Sequence, residues 1–385
     1  MSSLRWLVLG SVLAGCSSLK SHVQSEVPQS PLRVRTLTTT ELGEGVFDLG
    51  APPQSIVAPI FLDGNQMLIV TMGGSIELRD VQSLKARWKH VVTPGVQAQP
   101  LIVGSSVIVA GMDAKIRKLR LSTGEKEWEV SLPAESPGGI SASHGMIFVT
   151  AADDSLSALD EKTGAALWNY KRPDRVGNVM WSLMGNAVPA ISPDGGALYC
   201  GFSDGTFVSL EAASGKTLWE RNFDRLARFK DVDTSPVLSP DGSVLYLSLV
   251  DSDLVALRTR DGSTLTSVPG AAATAPFVDT KEKALYFSTR DNKVVKVSLE
   301  DQRILWTTKL DKRGFGSKPV ALVEGFIAVT TSRAGLVMLD RKTGQIQWED
   351  TYATGTLAPP SFDGRRLAIV SGRNWLHLYT VEKRL

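Results

Sequence analysis

The chain has 385 residues, of which 43% are hydrophobic, and 42 Lys and Arg stand against 40 Asp and Glu. A formal net charge of +2 argues against a nucleic-acid-binding protein and against a polybasic membrane-binding protein. Beyond the N-terminal region, no stretch is long and apolar enough to be read as a transmembrane helix.

The N-terminus, residues 1–15, has the pattern of a secretory signal. One cation, Arg5, precedes the apolar core Trp6–Leu13, and small residues then lead to Cys16. The ending Leu-Ala-Gly-Cys resembles the bacterial lipobox, which implies cleavage before Cys16 and lipidation of that residue; an ordinary signal with an accidental cysteine is the alternative. Ser17 follows where the bacterial lipoprotein pattern has Asp for retention in the inner membrane, which implies the outer membrane.

Residues 16–33 are polar and contain Pro28 and Pro31, which predicts a flexible tether after the lipidated cysteine. Its root-mean-square reach would be about 20–25 Å, so the folded body would stay near the membrane. With Cys16 lipidated, Cys200 has no partner for an intramolecular disulfide. We expect Cys200 to be a small core residue and not a reactive thiol.

A strand–turn–strand unit recurs through the rest of the chain, and Ala158–Trp168 is its clearest copy. The seven copies end at Trp88, Trp128, Trp168, Trp219, Thr266, Trp306 and Trp348, at spacings of 40, 40, 51, 47, 40 and 42 residues. A period near 40 residues indicates a repeat architecture. In the turn, Asp160 can accept hydrogen bonds from backbone N–H groups ahead of it, and Gly164 can take a positive φ. We expect the terminal Trp to cover its own sheet and pack on the next one.

Eight segments open the units with small residues and a proline. Seven place the proline after a short run, at Pro59, Pro100, Pro189, Pro236, Pro276, Pro319 and Pro359, and the third has its proline displaced to Pro137. Four short strands per unit predict an all-β fold, an eight-bladed β-propeller of four-stranded antiparallel blades over residues 34–385. Proline suits the innermost strand because that strand is also a sheet edge. The eighth unit lacks its outer strand, which we expect from the N-terminus within Arg35–Leu49, with Val46–Leu49 its most strand-like part.

Motifs for catalysis or ligand binding fail when they are tested against the sequence. Gly215-Lys216-Thr217 lacks the first glycine of a phosphate-binding loop, and the stretch beginning at Asp231 has Pro236 where an EF-hand needs Gly. The four histidines show no metal-ligand spacing. We therefore predict a protein that is not an enzyme and holds neither cofactor nor metal.

The Leu-Asp-x-x-Thr-Gly-x-x-x-Trp copies resemble the repeats of quinoprotein (PQQ-type) propellers. Together with a lipobox, a short tether and one eight-bladed propeller, they resemble the BamB family, lipoproteins of the outer-membrane β-barrel assembly machine, over residues 13–385. The resemblance implies a non-catalytic scaffold, lipid-anchored on the periplasmic face of the outer membrane. It implies docking on BamA and assistance to the folding and insertion of unfolded outer-membrane proteins.

Two stretches resemble BamB segments that contact BamA. The segment Trp181–Pro189 resembles Leu-Ser-Leu-Arg-Gly-x-x-x-Pro, which carries the contact over to Trp181, Leu183 and Met184. The segment Asp231–Pro236 resembles Asp-Val-Asp-Thr-x-Pro, which carries it to Asp231 and Asp233. Trp181 keeps the apolar character of the family Leu, whereas Met184 replaces Arg and removes a charged contact.

The residues themselves also favour a contact site here. The connection from Lys171 to Gly185 is the longest link between units and carries an apolar cluster, which suits a protein partner when it is exposed. The alternative is that Trp181 folds back and seals the propeller surface.

Two other functions stay open. One is a PQQ-dependent dehydrogenase-like propeller, although the adjacent cysteine pair and the calcium-binding acidic site of those enzymes are missing. The other is a periplasmic propeller that binds peptide or glycan through its central funnel.

Overall fold

Eight antiparallel sheets follow one another along the chain in the computed structural model. The structure describes residues 23–26, 30–42, 57–71, 73–172, 187–223, 234–249, 253–268, 274–323, 325–351, 355–372 and 374–384. Within these ranges the single helical turn is a 3₁₀ turn, Asp311–Arg313. The all-β, eight-bladed propeller predicted from the repeat period is confirmed.

Two strands precede the first blade: β1 (Val23–Glu26) and β2 (Leu32–Glu41). Blade 1 holds β3 (Ile60–Leu62), β4 (Gln66–Val70), β5 (Ser75–Asp80) and β6 (Ala86–Val91). Blade 2 holds β7 (Leu101–Val103), β8 (Ser106–Ala110), β9 (Lys115–Arg120) and β10 (Lys126–Ser131). Blade 3 holds β11 (Ile140–Ser143), β12 (Met146–Ala151), β13 (Ser155–Asp160) and β14 (Ala166–Lys171). Blade 4 holds β15 (Ala190–Ile191), β16 (Ala197–Gly201), β17 (Thr206–Glu211) and β18 (Thr217–Asn222).

Blade 5 holds β19 (Val237–Leu238), β20 (Val244–Ser248), β21 (Leu254–Arg258) and β22 (Thr264–Val268). Blade 6 holds β23 (Phe277–Asp279), β24 (Ala284–Ser288), β25 (Lys293–Ser298) and β26 (Ile304–Lys309). Blade 7 holds β27 (Val320–Ala321), β28 (Phe326–Thr331), β29 (Gly335–Asp340) and β30 (Ile346–Thr351). Blade 8 holds β31 (Ser361–Phe362), β32 (Arg366–Val370) and β33 (Trp375–Lys383).

The ring has two ends, which this topology defines. The links from the outermost strand of one blade to the innermost strand of the next lie at one end, together with the turns between second and third strands. We call this end the link face. The turns between first and second strands and between third and fourth strands lie at the opposite end, the turn face.

The N-terminal strand β2 closes the ring. It pairs antiparallel with β33 from Leu32↔Lys383 to Glu41↔Trp375, which gives blade 8 its fourth strand. The innermost strand β31 contacts β3, so the eighth blade adjoins the first. Closure from the N-terminus is confirmed, and the strand lies at Leu32–Glu41, earlier than expected; the segment Val46–Leu49 lies outside the described residues.

The strand β1 falls within the stretch predicted as a flexible tether. It pairs antiparallel with β30, from Val23↔Thr351 to Glu26↔Trp348, and is the fifth strand of blade 7. The predicted tether of residues 16–33 therefore contains backbone that is paired to the propeller body.

The hydrophobic core lies between neighbouring blades. One cluster joins Phe148 and Leu156 of blade 3 to Leu198 and Val208 of blade 4. Cys200 is fully buried in this cluster, as expected for a small core residue. Because every blade shares such a cluster with a neighbour, the blades depend on one another for burial of their apolar faces.

The repeat turn has the predicted geometry. In blade 3, Asp160 Oδ1 accepts hydrogen bonds from the Thr163 hydroxyl at 2.7 Å and the Thr163 backbone N–H at 2.8 Å. It also accepts from the Lys162 backbone N–H at 3.1 Å. The side-chain hydrogen bond from Thr163, with the backbone bonds, lowers the pKa of Asp160 because these donors stabilise the carboxylate.

The terminal tryptophan of a repeat packs on the following blade, as predicted. In five blades the indole Nε1–H donates to a backbone carbonyl in the turn of the next blade, at 2.8–3.1 Å. Each of these indoles covers the turn glycine of that next blade, so that a Cβ on the glycine would come within 2.6–2.8 Å of the ring. The pairs are Trp88 with Gly124, Trp128 with Gly164, Trp168 with Gly215, Trp219 with Gly262 and Trp306 with Gly344.

Candidate partner-binding face

All the predicted site residues lie outside the described part of the chain. Cys16 belongs to residues 1–22, Trp181, Leu183 and Met184 to residues 173–186, and Asp231 and Asp233 to residues 224–233. In sequence, residues 173–186 connect blade 3 to blade 4 and residues 224–233 connect blade 4 to blade 5. The described residues that flank these two segments lie at the link face.

The two links end side by side. Ala187 and Val188 follow the first segment, and Thr234 and Ser235 follow the second. The backbone N–H of Val188 donates to Ser235 Oγ at 3.1 Å, which joins the two links directly. The carbonyl of Ala187 also accepts from the Thr150 hydroxyl at 3.3 Å, which ties the first link to blade 3.

The beginning of the first link is fixed by Arg172, which bridges blades 3 and 4. Its guanidinium donates to Asp204 Oδ2 at 3.1 Å, to Glu220 Oε2 at 3.0 Å and to the Thr206 hydroxyl at 3.2 Å. Burial opposes the charge of Arg172, but Tyr170 and the two carboxylates outweigh it and raise the pKa of the guanidinium. Charge-assisted hydrogen bonds to two carboxylates thus hold the Arg172 side chain between blades 3 and 4.

The neighbouring polar contacts belong to the same interface between blades 3 and 4. Asp154 of blade 3 accepts hydrogen bonds from the Ser203 hydroxyl and, at 3.2 Å, from the Ser203 backbone N–H in blade 4. Burial by itself raises the pKa of Asp204. The contacts with Thr206 and Arg172 lower the pKa by more than burial raises it, so the net shift is downward. These contacts hold together the described parts of blades 3 and 4 that flank residues 173–186.

The sequence patterns did not single out two exposed aromatic residues on the same face. Phe315 is 46% exposed in the link from blade 6 to blade 7, and Trp375 is 38% exposed at the start of β33 in blade 8. Trp375 does not occupy the repeat position at which a Trp packs between blades. This different position is the signal in the sequence that could have identified it.

Chemistry-bearing side chains are scattered in the described structure. Over the described residues, no three His, Cys, Asp or Glu side chains come together in a way that could hold a metal ion. Burial raises the pKa of the Cys200 thiol, which disfavours the reactive thiolate. Among the described residues there is no helix whose length and apolar character would let it cross a membrane.

Comparison with protein families gives a match over most of the chain. The family model described as "Outer membrane protein assembly factor BamB" matches residues 73–308 and 290–384. The BamB of Yersinia pestis is 23% identical over 249 residues, which is 59% of this chain and 59% of that protein. The BamB of Bordetella pertussis is 24% identical over 232 residues, 57% of this chain and 56% of that protein. The aligned part thus spans less than two thirds of these relatives.

Solved structures share the fold. The BamB of Moraxella catarrhalis superposes with a TM-score of 0.73 at 20% identity, covering 90% of this chain and 100% of that one. The quinohemoprotein alcohol dehydrogenase of Comamonas testosteroni gives a TM-score of 0.72 at 11% identity, covering 90% of this chain and 76% of that one. At such low identities these likenesses concern the fold alone.

Proposed function

The chain belongs to the family of outer membrane protein assembly factors BamB, and from this premise we propose that it is a non-catalytic scaffold of the outer-membrane β-barrel assembly machine. It would dock on a BamA-like barrel protein through the periplasmic domains of that protein. It would assist the folding and insertion of outer-membrane proteins by holding a rigid surface beside the site of assembly.

One observation carries the docking proposal. In sequence, the link with Trp181, Leu183 and Met184 leads to Val188, and the link with Asp231 and Asp233 leads to Ser235. The backbone N–H of Val188 donates a hydrogen bond to Ser235 Oγ. The described residues that follow two segments about fifty positions apart in sequence thereby meet on the link face. We propose that the apolar residues of the first segment and the carboxylates of the second act together, which would suit a protein partner with an apolar, basic patch.

The residue Met184 sets this chain apart from the family segment, which has Arg there. We propose that the contact in this chain depends more on the apolar residues Trp181 and Leu183 and on the carboxylates of Asp231 and Asp233. An unbranched Met can fill an irregular apolar gap but offers no charge to a partner carboxylate.

The location follows from the N-terminal pattern. We propose that residues 1–15 are removed, that Cys16 is lipidated, and that the propeller lies on the periplasmic face of the outer membrane. Acyl chains on Cys16 would anchor the chain stably, because several chains hold a protein on a bilayer where one does not.

Co-purification tests the docking site. The C-terminally tagged wild type should bring down a BamA-like barrel protein from gently solubilised membranes, and Leu183→Asp should abolish this. Replacing Leu167 by Asp is a matched control, because Leu167 lies on the outer strand of blade 3 and is 49% exposed. The control should retain the partner.

Thermal unfolding separates a lost contact from a lost fold. Leu183→Asp should melt close to wild type if Leu183 is at a partner surface. A large fall in melting temperature would show Leu183 to be core, and equal partner loss in Leu167→Asp would remove the assignment of the site to the links.

A further inference from the structure

Two exposed aromatic side chains are held on rigid backbone at the link face of blades 7 and 8. The backbone N–H of Phe315 donates to Ser332 Oγ at 3.0 Å, and the Ser332 N–H donates to the Phe315 carbonyl at 2.9 Å. Trp375 pairs with Glu41, and its carbonyl accepts from the Ser371 N–H at 2.8 Å. Hydrogen-bonded backbone therefore holds both exposed residues in place, and neither lies in a loose chain end.

Close backbone contacts connect the two aromatic positions. A Cβ on Gly355 would lie 2.2 Å from the backbone carbonyl carbon of Ser332, so the link into blade 8 packs directly under the turn that holds Phe315. The carbonyl of Gly355 accepts from the N–H of Gly372 at 3.1 Å, in the turn that leads to Trp375. Phe315 and Trp375 thus belong to one continuous surface, which we call the aromatic corner.

Exposed cations share the link face with the aromatic corner. Lys309, Lys312 and Arg333 are exposed in or beside the same links and turns. Three exposed acids, Glu41, Asp291 and Asp311, share this surface. Glu41 lies opposite Trp375 in the sheet, and Asp291 forms an ion pair with Lys293. Arg313 pairs with Glu349 through its Nε at 2.7 Å, so its charge is balanced within blade 7.

The strand β1 begins at the link face of blade 7, on the side of the ring that carries the aromatic corner. Because β1 is antiparallel to β30, Val23 pairs with Thr351 at the link-face end of blade 7. Cys16 precedes Val23 by seven residues, and a chain of that length spans at most about 25 Å. A lipid on Cys16 would therefore bring a bilayer close to the aromatic corner.

We propose that the aromatic corner is the surface through which the propeller contacts the bilayer, with Phe315 and Trp375 at the level of the lipid headgroups. The inference rests on the proposed lipid anchor at Cys16. Aromatic rings favour the interface between water and hydrocarbon, and Lys and Arg side chains are attracted by anionic headgroups. The contact would orient the ring, so that blades 7 and 8 lie nearest the membrane and blades 3 to 5, on the opposite side of the ring, lie farthest from it.

Vesicle flotation of the mature chain with Cys16→Ser, purified without acyl chains, tests the contact itself. The probes are vesicles of phosphatidylethanolamine with phosphatidylglycerol, and vesicles of phosphatidylcholine alone. We expect preference for the anionic vesicles, and a roughly tenfold lower partition coefficient for the pair Phe315→Ser and Trp375→Ser. The matched control is the pair Leu167→Ser and Leu218→Ser, which removes two side chains of 49% and 53% exposure from blades 3 and 4 and should change the coefficient less than about twofold.

Charge reversal provides a second pair of variants that leaves the apolar residues intact. Lys312→Glu with Arg333→Glu should abolish the preference for anionic vesicles. Lys162→Glu with Lys216→Glu makes the same change of net charge on exposed turns of blades 3 and 4 and should preserve it. The proposal would be overturned if the variants of the aromatic corner and their controls in blades 3 and 4 lost vesicle binding or anionic preference equally. It would also be overturned if the chain without these changes showed no preference for anionic vesicles.

The lipidated chain offers an independent measurement. Cys200 is fully buried, so a fluorophore can be attached at Arg333→Cys in blade 7 or at Ala152→Cys in the corresponding turn of blade 3. A headgroup quencher should quench the label at position 333 much more strongly, and equal quenching would overturn the orientation. Co-purification of a BamA-like protein uses residues on the other side of the ring, so its failure and the failure of this proposal are distinguishable.

Discussion

The tryptophan of one blade and the turn residue of the next form a matched pair. Each of the five glycines under an indole has φ between +68° and +74°. Thr266 stands at the Trp position of blade 5, and there the following turn uses Gln302 at φ +61°. In blade 8, Thr38 stands at the Trp position, just after the corresponding bulge, and the turn of blade 1 uses Leu84 at φ +57°. The Leu84 side chain packs against the core between blades 8 and 1. The turn therefore carries a residue larger than glycine where the preceding blade has Thr in place of Trp.

A glycine substitution separates the backbone effect from the packing effect. Gly215→Ala should lower the free energy of unfolding by about 2–4 kcal/mol, since left-handed backbone costs an alanine about 1 kcal/mol and displacement of Trp168 costs about 1–3 kcal/mol more. Gly64→Ala is the matched control, because Gly64 has the same φ of +71° and no atom within 4 Å of the added Cβ. Denaturant unfolding of both variants measures the difference.

The combination with Trp168→Ala is the decisive comparison. Trp168→Ala alone should cost about 3–5 kcal/mol. In that background Gly215→Ala should cost only about 1 kcal/mol, because the ring that it displaces is gone. Full additivity of the two substitutions would contradict the pairing.

At the scale of single strands, β2 determines whether the eight blades form a closed ring. Its inward residues, Leu32 and Val34, join the core cluster that includes Trp348 of blade 7 and Tyr379 of blade 8. The Trp348 and Tyr379 rings meet edge to face at 5.6 Å, and the Tyr379 hydroxyl donates to Asp350 at 2.8 Å. The strand thus completes blade 8 and seals its contact with blade 7.

Two leucines of β2 test this role. Leu32 is fully buried and Leu37 is 51% exposed, although both lie in the same strand. Leu32→Ala should lower the free energy of unfolding by about 2–5 kcal/mol, whereas Leu37→Ala should stay within about 0.5 kcal/mol of wild type. Thermal or denaturant unfolding checks both, and similar costs for the two variants would contradict the assignment of β2 as the closing strand.

The whole molecule was largely predictable because its period is strong. The spacing of the Trp strands predicted eight blades, and the missing strand of the last repeat predicted closure from the N-terminus. The position of β2 was less predictable, because Leu32–Glu41 carries a threonine-rich sequence without the repeat pattern. The pairing of β1 with blade 7 was not predictable, since a short polar segment becomes a strand only when a neighbouring edge accepts it.

The candidate site was predictable to a different degree. The lengths of the links and their resemblance to BamB segments predicted Trp181, Leu183, Met184, Asp231 and Asp233, and these assignments stay predictions. The convergence of the two links through Val188 and Ser235 required the three-dimensional ring. The exposure of Phe315 could not be read from sequence, because an apolar residue in a link is equally compatible with burial.

Attachment to the membrane is a property of the whole chain and can be tested as such. Cys16→Ser should move the protein from the membrane fraction to the soluble periplasmic fraction, because the acyl chains supply most of the affinity for the bilayer. Cell fractionation with immunodetection measures this distribution. Unchanged retention would contradict lipidation at Cys16, and Ser17→Ala, which leaves the cysteine in place, should remain in the membrane fraction.

The matched pairs of tryptophan and turn residue also limit how such a ring can be rebuilt. A blade carries the indole for its successor and the turn for its predecessor, so exchanging one blade alone changes two interfaces. Placing blade 6 directly after blade 4 would set the side chain of Gln302 beneath Trp219, where Gly262 now lies. Duplication, deletion or grafting of blades would therefore succeed most readily when the segments are cut inside a blade, between the turn and the tryptophan strand, so that each indole travels with the glycine that receives it.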